Sequence, residues 1–323
     1  MPRVIEILVP HSEPSSRPGR VDALLRPKLP GVSRERLKQL FQSGRVRRLP
    51  ERLRLRAADS LGPGAWRIEL DLDEPGSWPL RPIPAEEPFL PVIHQDSDLL
   101  VLDKKSGVPS LPHSPEETGS AVSAALAVDR NLLNVPSPPL ECGLLHRLDT
   151  GTSGLLAFAR SEEAYLRLRE AWQSGRVRKI YRARVFAASG LKRPSSPPEA
   201  GQAISWPMSR LRKTSRRMAV LVPEHPYLKN ELRGETLVAL TRVLGSAPGP
   251  SGTREIEVEI STGVMHQIRA HLAASGWPLV GDEVYGGPRA SRLALHASRL
   301  VIELDDRKLE LEAPLPEDWP VPA

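Results

Sequence analysis

Leu145-His146-Arg147-Leu148-Asp149-Thr150-Gly151-Thr152-Ser153-Gly154-Leu155-Leu156-Ala157-Phe158-Ala159 is the stretch on which the reading of this chain turns. Its last five residues form a short apolar run bounded by turn residues, the pattern of a buried strand. The glycines just before the run let the backbone bend sharply. The turn therefore delivers one carboxylate, Asp149, to a strand edge. An Asp close to an Arg is also the pattern of a solvated ion pair worth little, so the rest of the chain has to decide what Asp149 is for.

Working outward, Leu99-Leu100-Val101-Leu102 is a second buried-strand pattern upstream, and a Pro, Gly and Ser loop joins it to the Asp149 segment. Downstream, Ser161 caps a helix whose Tyr165, Leu168 and Trp172 fall at core spacing and which Gly175 ends. The basic strand Arg176 to Arg184 follows, and Glu255-Ile256-Glu257-Val258-Glu259-Ile260 alternates as a half-buried strand does. A helix from about Met265 to Ser275 is closed by Gly276, while Leu191 to Ala200 and Gly245 to Thr253 are proline-rich loops. Many strands at irregular spacing with few helices predict an α+β fold with a mixed, largely antiparallel sheet.

Toward the N-terminus, Val21, Leu24 and Leu25 suggest a short helix. Ser33 begins a second, with Leu37, Leu40 and Phe41 on one face and cations on the other, closed by Gly44. Trp66 to Leu72 alternates as a strand. Residues 1–74 thus form a small α+β module. Pro75, Pro79, Pro82, Pro84, Pro88 and Pro91 make 75–91 a linker, because neither a helix interior nor a central strand tolerates that density. Residues 92–323 are the larger body.

The formal charge of +6 is unevenly placed: Arg17 to Arg56 holds 13 basic and 3 acidic residues, so everything outside it is slightly acidic. A basic segment joined to a near-neutral body is the electrostatic outline of a polyanion binder, nucleic acid first, although a solubilising charged face has the same composition. A single cysteine, Cys142, excludes an internal disulfide and fits a reducing, cytoplasmic setting; with no base adjoining it, it reads as a buried small hydrophobe. No stretch is apolar enough to span a membrane, and the segment Val4 to Pro10 is too short for a signal-peptide core. A monomer is the default expectation.

Four segments carry polar residues that a core does not request: Asp149 with Arg147; Lys179 and Tyr181; His266-Gln267-Ile268-Arg269; and Gly281 to Gly286. Metal binding finds no support, since His266 and His271 are five apart and neither HExxH nor a Cys pair occurs. No glycine-rich phosphate loop occurs either, so no cofactor is expected.

The order of His146-Arg147-Leu148-Asp149, then Lys179-Ile180-Tyr181, then His266-Gln267-Ile268-Arg269-Ala270-His271-Leu272, then Gly281-Asp282 and Tyr285-Gly286 resembles the RluA-type RNA pseudouridine synthases over residues 90–315. The N-terminal module, with Arg20 to Leu24, the Ser33-Arg34 helix start and Gly44-Arg45-Val46, is more loosely similar to the small S-four-type RNA-binding domain. There Arg48-Leu49-Pro50 replaces the usual Val-Asn-Gly turn.

The resemblance implies an isomerase that detaches uracil from ribose within RNA, rotates it and rejoins it through carbon 5. By that likeness Asp149 is the essential carboxylate, Tyr181 stacks on the uracil or takes its carbon-5 proton, and Arg269 orients Asp149. Arg147, His146, Lys179, His266 and Gln267 in the body, and Arg34, Arg36, Lys38 and Arg45 in the module, are the expected RNA contacts. Two arginines beside Asp149 favour its charged form. Ribosomal RNA is the favoured substrate and tRNA stays open. Two departures stand out: Val264-Met265 where the family has Arg-Thr, and Lys104-Lys105 where it has Lys-Pro. A silent RNA-binding or ribosome-assembly protein of the same fold is the rival expectation; a glycoside hydrolase is disfavoured because no second carboxylate adjoins Asp149 in sequence.

Overall fold

The computed structural model describes residues 3–9, 19–29, 32, 37–38, 40–41, 44–70, 81–113, 117–138, 140–187, 196–214, 217–223, 231–305 and 307–322. These fall into two compact units, Met1–Glu86 with Leu111–Cys142, and Glu87–Ser110 with Gly143–Ala323. Residues 111–142 thus group with the N-terminal unit, whereas the sequence boundary assigns them to the larger body. Residues 71–80, which include the last four of the module and the first six of the proline-rich linker, lie outside the described residues.

In the first unit, strands β1 (Arg3–Val9), β3 (Val46–Leu49), β4 (Leu53–Arg54) and β6 (Gly64–Leu70) form an antiparallel sheet in the order β1-β6-β3-β4. A small pair joins β2 (Gly19–Arg20) to β5 (Ser60–Leu61). Helix α1 (Val21–Leu25) buries Val21 and Leu25 in a core that also holds Leu37, Leu40, Phe41, Val46 and Ile68. The apolar stripe read from the sequence is therefore a packed face. Helix α2 (Ala121–Val128) begins at Ser120, whose hydroxyl accepts from the Ser123 amide at 3.1 Å. Cys142 is buried and its thiol is pushed up to about 12, as befits an inert small hydrophobe.

The second unit is built on a nine-stranded sheet. Its strands are β7 (Val92–Gln95), β8 (Leu99–Lys104), β9 (Ser153–Ala159), β10 (Val177–Val185), β11 (Ala203–Ile204), β15 (Thr241–Pro248), β16 (Arg254–Ile260), β17 (Leu295–Glu303) and β18 (Lys308–Glu312). The order is β11-β15-β16-β10-β17-β9-β8-β7, with β18 beside β17, and every pairing except β17 with β9 is antiparallel. Strand β9 is buried along its whole length, as its unbroken apolar run requires. At its start Gly154 has φ +113°, and a Cβ there would lie 2.3 Å from the Ala297 carbonyl oxygen, so only glycine admits the parallel β9-β17 contact.

Helix α3 (Glu162–Gln173) is capped by Ser161, which accepts from the Ala164 amide at 3.1 Å, and packs Ala164, Leu168 and Ala171 into the core beside β9. A separate three-stranded sheet, ordered β13 (Met218–Val220), β12 (Met208–Leu211), β14 (Leu232–Leu237), precedes β15. Helix α4 (Gln267–Ala274) starts two residues later than the sequence suggests, because His266 adopts a left-handed conformation, φ 56°, that ends the preceding loop. The expected loop at Gly245 to Thr253 is shorter than read: β15 continues through Pro248, paired with β16 past an irregularity at Val243/Gly245. Proline is admissible there because β11 covers only Thr241 and Arg242, leaving the far end of β15 as an edge.

Candidate active site

Asp149 lies on the turn between the loop after β8 and the start of β9, and the backbone closes that turn through Thr152 N donating to Asp149 O at 3.0 Å. The preceding loop clamps it. Ser110 Oγ donates to Leu148 O at 2.7 Å and accepts from Leu148 N at 3.0 Å, and Ser106 Oγ donates to Gly151 O at 2.8 Å. Lys104, the last residue of β8, is fully buried and donates through Nζ to the carbonyls of Val108 at 2.7 Å, Lys105 at 3.1 Å and Thr150 at 3.3 Å. Burial lowers its ammonium to about 7, against the opposing pull of Asp149. A cation thus ties together the two loops that hold the carboxylate.

On the other side stands α4. Arg269, third along that helix, donates through Nη1 to Asp149 Oδ2 at 2.9 Å, while its Nε and Nη2 grip both oxygens of Asp282 at 2.7 and 2.9 Å. The Asp282 side chain is 1% exposed, Arg269 10% and Asp149 26%, so the network opens toward solvent only at Asp149. Burial works against the Arg269 charge, but its bonds to Asp282 and Asp149 outweigh burial and raise its pKa. The Tyr285 ring lies over the same guanidinium, 5.4 Å from ring centre to Cζ. The Tyr285 hydroxyl accepts from Met218 N at 2.9 Å and meets His266 Nδ1 at 3.2 Å. His266 Nε2 is 3.7 Å from Asp149 Oδ2, and burial lowers that imidazole's pKa. Both neighbours of Asp149 thus address Oδ2. Among the described residues no hydrogen bond reaches Oδ1.

Tyr181 sits mid-strand on β10, buried, its phenol held above the ordinary range by burial first and by the Asp149 charge second. It lies in the field of Asp149 and keeps its proton at neutral pH. The structure thus gathers Asp149, Tyr181 and Arg269 from segments up to 120 residues apart.

Several expected RNA contacts are placed elsewhere. His146 stacks on Trp172, ring centres 5.6 Å apart, and its Nε2 accepts from Ala157 N at 3.3 Å; burial drives its pKa to about 3, so it is a neutral packing residue. Lys179 is buried too, donating to Thr262 O at 3.2 Å, with its ammonium lowered to about 8. Gln267 spends its amide on Thr262 Oγ1, Val264 N and Leu240 O, tying α4 to the loops beside it. Lys179 and Gln267 are buried and His146 half-buried, and all three are committed to partners within the fold.

The basic strand itself is neutralised: Arg178 lies 3.6 Å from Glu259, Arg184 bonds Glu255, and Arg182 stands opposite Glu257 in the β10-β16 register. Arg147 is exposed and forms no ion pair with Asp149, so the two arginines expected beside the carboxylate are one. In the first unit Lys38 is exposed and Arg45 half-buried, while Arg34 and Arg36 lie outside the described residues. Val264 packs against the cluster of Met208, Met218, Val220, Ala270 and Tyr285, an apolar use of a position where the family pattern has a cation.

Sequence reasoning did not assign Lys104, Ser110, Asp282 or Tyr285. The last two stand inside the quoted Gly281 to Gly286 segment; for Lys104 the available signal was a lysine ending a strand that opens with four apolar residues. Among the described residues no cluster suited to a metal ion occurs, and no helix is long and apolar enough to cross a membrane.

Residues 98–274 match the family model described as RNA pseudouridylate synthase. The ribosomal large subunit pseudouridine synthase D of Pseudomonas aeruginosa is 31% identical over 321 residues, covering 93% of this chain and 89% of that protein. An RNA pseudouridine synthase of Chloroflexus aurantiacus, itself uncharacterized, is 34% identical over 311 residues, covering 94% and 89%. Among solved structures, human RNA pseudouridylate synthase domain containing 1 aligns with a TM-score of 0.53 at 22% identity, covering 72% of this chain and 86% of that one, a likeness of fold.

Proposed function

The chain belongs to the RNA pseudouridylate synthase family, isomerases that turn uridine into pseudouridine, and from that premise we propose that it modifies ribosomal RNA through Asp149. The observation that carries the assignment is the shared guanidinium: Arg269 holds Asp149 by Oδ2 while a buried, bidentate Asp282 fixes Arg269 itself. A carboxylate so held presents Oδ1 in one direction. The reaction breaks the bond from ribose C1′ to N1, forms one from C1′ to C5, and moves a hydrogen from C5 to N1, so nothing external is consumed. Bond breaking develops positive charge on the sugar, and a partly desolvated carboxylate either stabilises it or attacks it.

A uracil inside an RNA stem is out of reach of Asp149 and has to be extruded at a cost of a few kcal/mol. Exposed Arg147, two residues before Asp149, is suited to occupy the vacated space or grip a flanking phosphate. Tyr181 supplies a flat face on which the base stacks, worth about 1–3 kcal/mol. Its raised phenol argues for stacking over proton abstraction. The N-terminal unit, with Lys38 and Arg45, acts in this reading as the S-four-type RNA-binding module. The protein works as a cytoplasmic monomer, where its one buried cysteine stays reduced.

Ribosomal RNA and tRNA, each carrying tritium on uridine C5 and taken from cells lacking this protein, are the test. Release of tritium from ribosomal RNA by the wild-type chain, and none by Asp149→Asn, is the expected result. Release from tRNA alone moves the substrate, and release by the Asn variant at the normal rate removes Asp149 from the chemistry.

A further inference from the structure

We propose that the small β13-β12-β14 sheet is a docking surface for the RNA phosphate backbone beside the active site, an inference that rests on the activity above and extends it. Strand register sets Arg210 of β12 directly opposite Arg233 of β14, and both are exposed. Like charges directly opposite each other across a sheet destabilise it, and neither arginine makes a salt bridge among the described residues. Arg212, Lys213 and Arg217 are exposed around them, with Arg212 donating through Nε to Leu232 O at 2.6 Å. Against these five cations the described residues of the sheet and its approaches offer two carboxylates, Glu231 and Glu235. The excess is of the kind a polyanion neutralises.

The sheet is joined to the reacting centre by packing. Met208, Met218 and Val220 share a core with Ala270 of α4 and with Tyr285. The Arg217 guanidinium lies 5.4 Å from the centre of the Tyr285 ring, the ring that also covers Arg269. One aromatic ring therefore separates the first cation of this surface from the arginine that holds Asp149. An RNA strand placing a uridine at Asp149 continues onto the sheet, where arginine forks match phosphate oxygens in pairs. The repeating charge of a phosphodiester chain suits a row of like cations better than an acidic protein, whose carboxylates are interspersed with other residues.

The test uses the full chain and a labelled RNA hairpin with a uridine loop, its dissociation constant followed from about 50 to about 200 mM salt. Replacing Arg210, Lys213 and Arg233 together by Gln is expected to weaken binding about tenfold at the low-salt end and to flatten the log–log salt dependence by about 2–3. Arg178→Gln, Arg182→Gln and Arg299→Gln together change the net charge equally, and are expected to move the slope by less than about 1. Equal slopes for the sheet variant and wild type overturn the proposal, as does a control that moves the slope as far. Poly-glutamate displaced by the sheet substitutions while the RNA slope holds assigns the face to an acidic protein and overturns it too. Without RNA, Arg233→Gln should melt no lower than wild type, since it relieves the facing charges; a lower melting point makes the pair structural and counts against docking. Wild type that shows the steep slope yet releases no tritium from ribosomal RNA fails the activity reading alone, because the slope still scores the sheet.

Discussion

On one face of β10, Arg178 and Arg184 meet Glu259 and Glu255 of β16, and Arg182 stands opposite Glu257. On the other face Lys179 donates to Thr262 O and Tyr181 lies in the field of Asp149, where one guanidinium serves two carboxylates and Asp149 keeps an unbonded oxygen. The same nine residues build a ladder that satisfies itself and a wall of a site that does not. Charge density in the sequence is highest on the ladder side, yet charge available for chemistry or binding lies on the other. Cations count for function where the fold leaves them, or their partners, short of a counter-ion.

The sharpest way to break this contrast is Asp149→Asn, which preserves volume and removes the charge. Tritium release is expected to fall by at least about 10³-fold while RNA binding persists, since loss of a charge-stabilising group costs about that much. If isomerisation survives, the partly unsatisfied carboxylate is not the reacting group.

Arg269→Lys tests the shared guanidinium. A lysine ammonium cannot hold Asp282 by both oxygens and still reach Asp149 with fixed geometry, so an about 10²-fold loss of turnover is expected, from mispositioning. RNA affinity measured in parallel should be nearly unchanged, and an equal loss in both would make Arg269 a fold element.

His146 measures the buried side in pH. Its ordinary value of 6.5 falls to about 3 in the fold, and that of His296 to about 4. Between 6.5 and those values the unfolded chain binds protons that the folded chain refuses, so stability declines on acidification by up to about 1.4 kcal/mol per pH unit per histidine. Urea unfolding at several pH values should give that slope for the wild type and a shallower one for His146→Phe; identical slopes would mean that His146 titrates freely.

The smallest effect is expected on the ladder. Removing the half-exposed Arg178–Glu259 pair with Arg178→Gln and Glu259→Gln should cost less than about 1 kcal/mol in a double-mutant cycle, with turnover within about twofold of wild type. A large loss of activity would erase the distinction between the two faces.

The sequence by itself determined what depends on near neighbours. The bounded apolar run gave β9, Ser161 and Gly175 bracketed α3, and strict alternation gave β16, because strand and helix periods are local properties of the chain. Four motifs in order were enough to point to the chemistry, and the same resemblance proposed Asp149, Tyr181 and Arg269 as the residues that carry it. What only the tertiary structure decided is which charges are spent. Arg182 and Arg233 look alike in sequence, but cross-strand register sets one opposite a glutamate and the other opposite an arginine. His146 and Asp149 are three residues apart, but the turn sends one ring against Trp172 and the other side chain to Arg269. Lys104 reads as a strand end until burial makes it the clamp of the Asp149 loop. Desolvation and ion pairing depend on what lies across the fold, and no local pattern carries that distance.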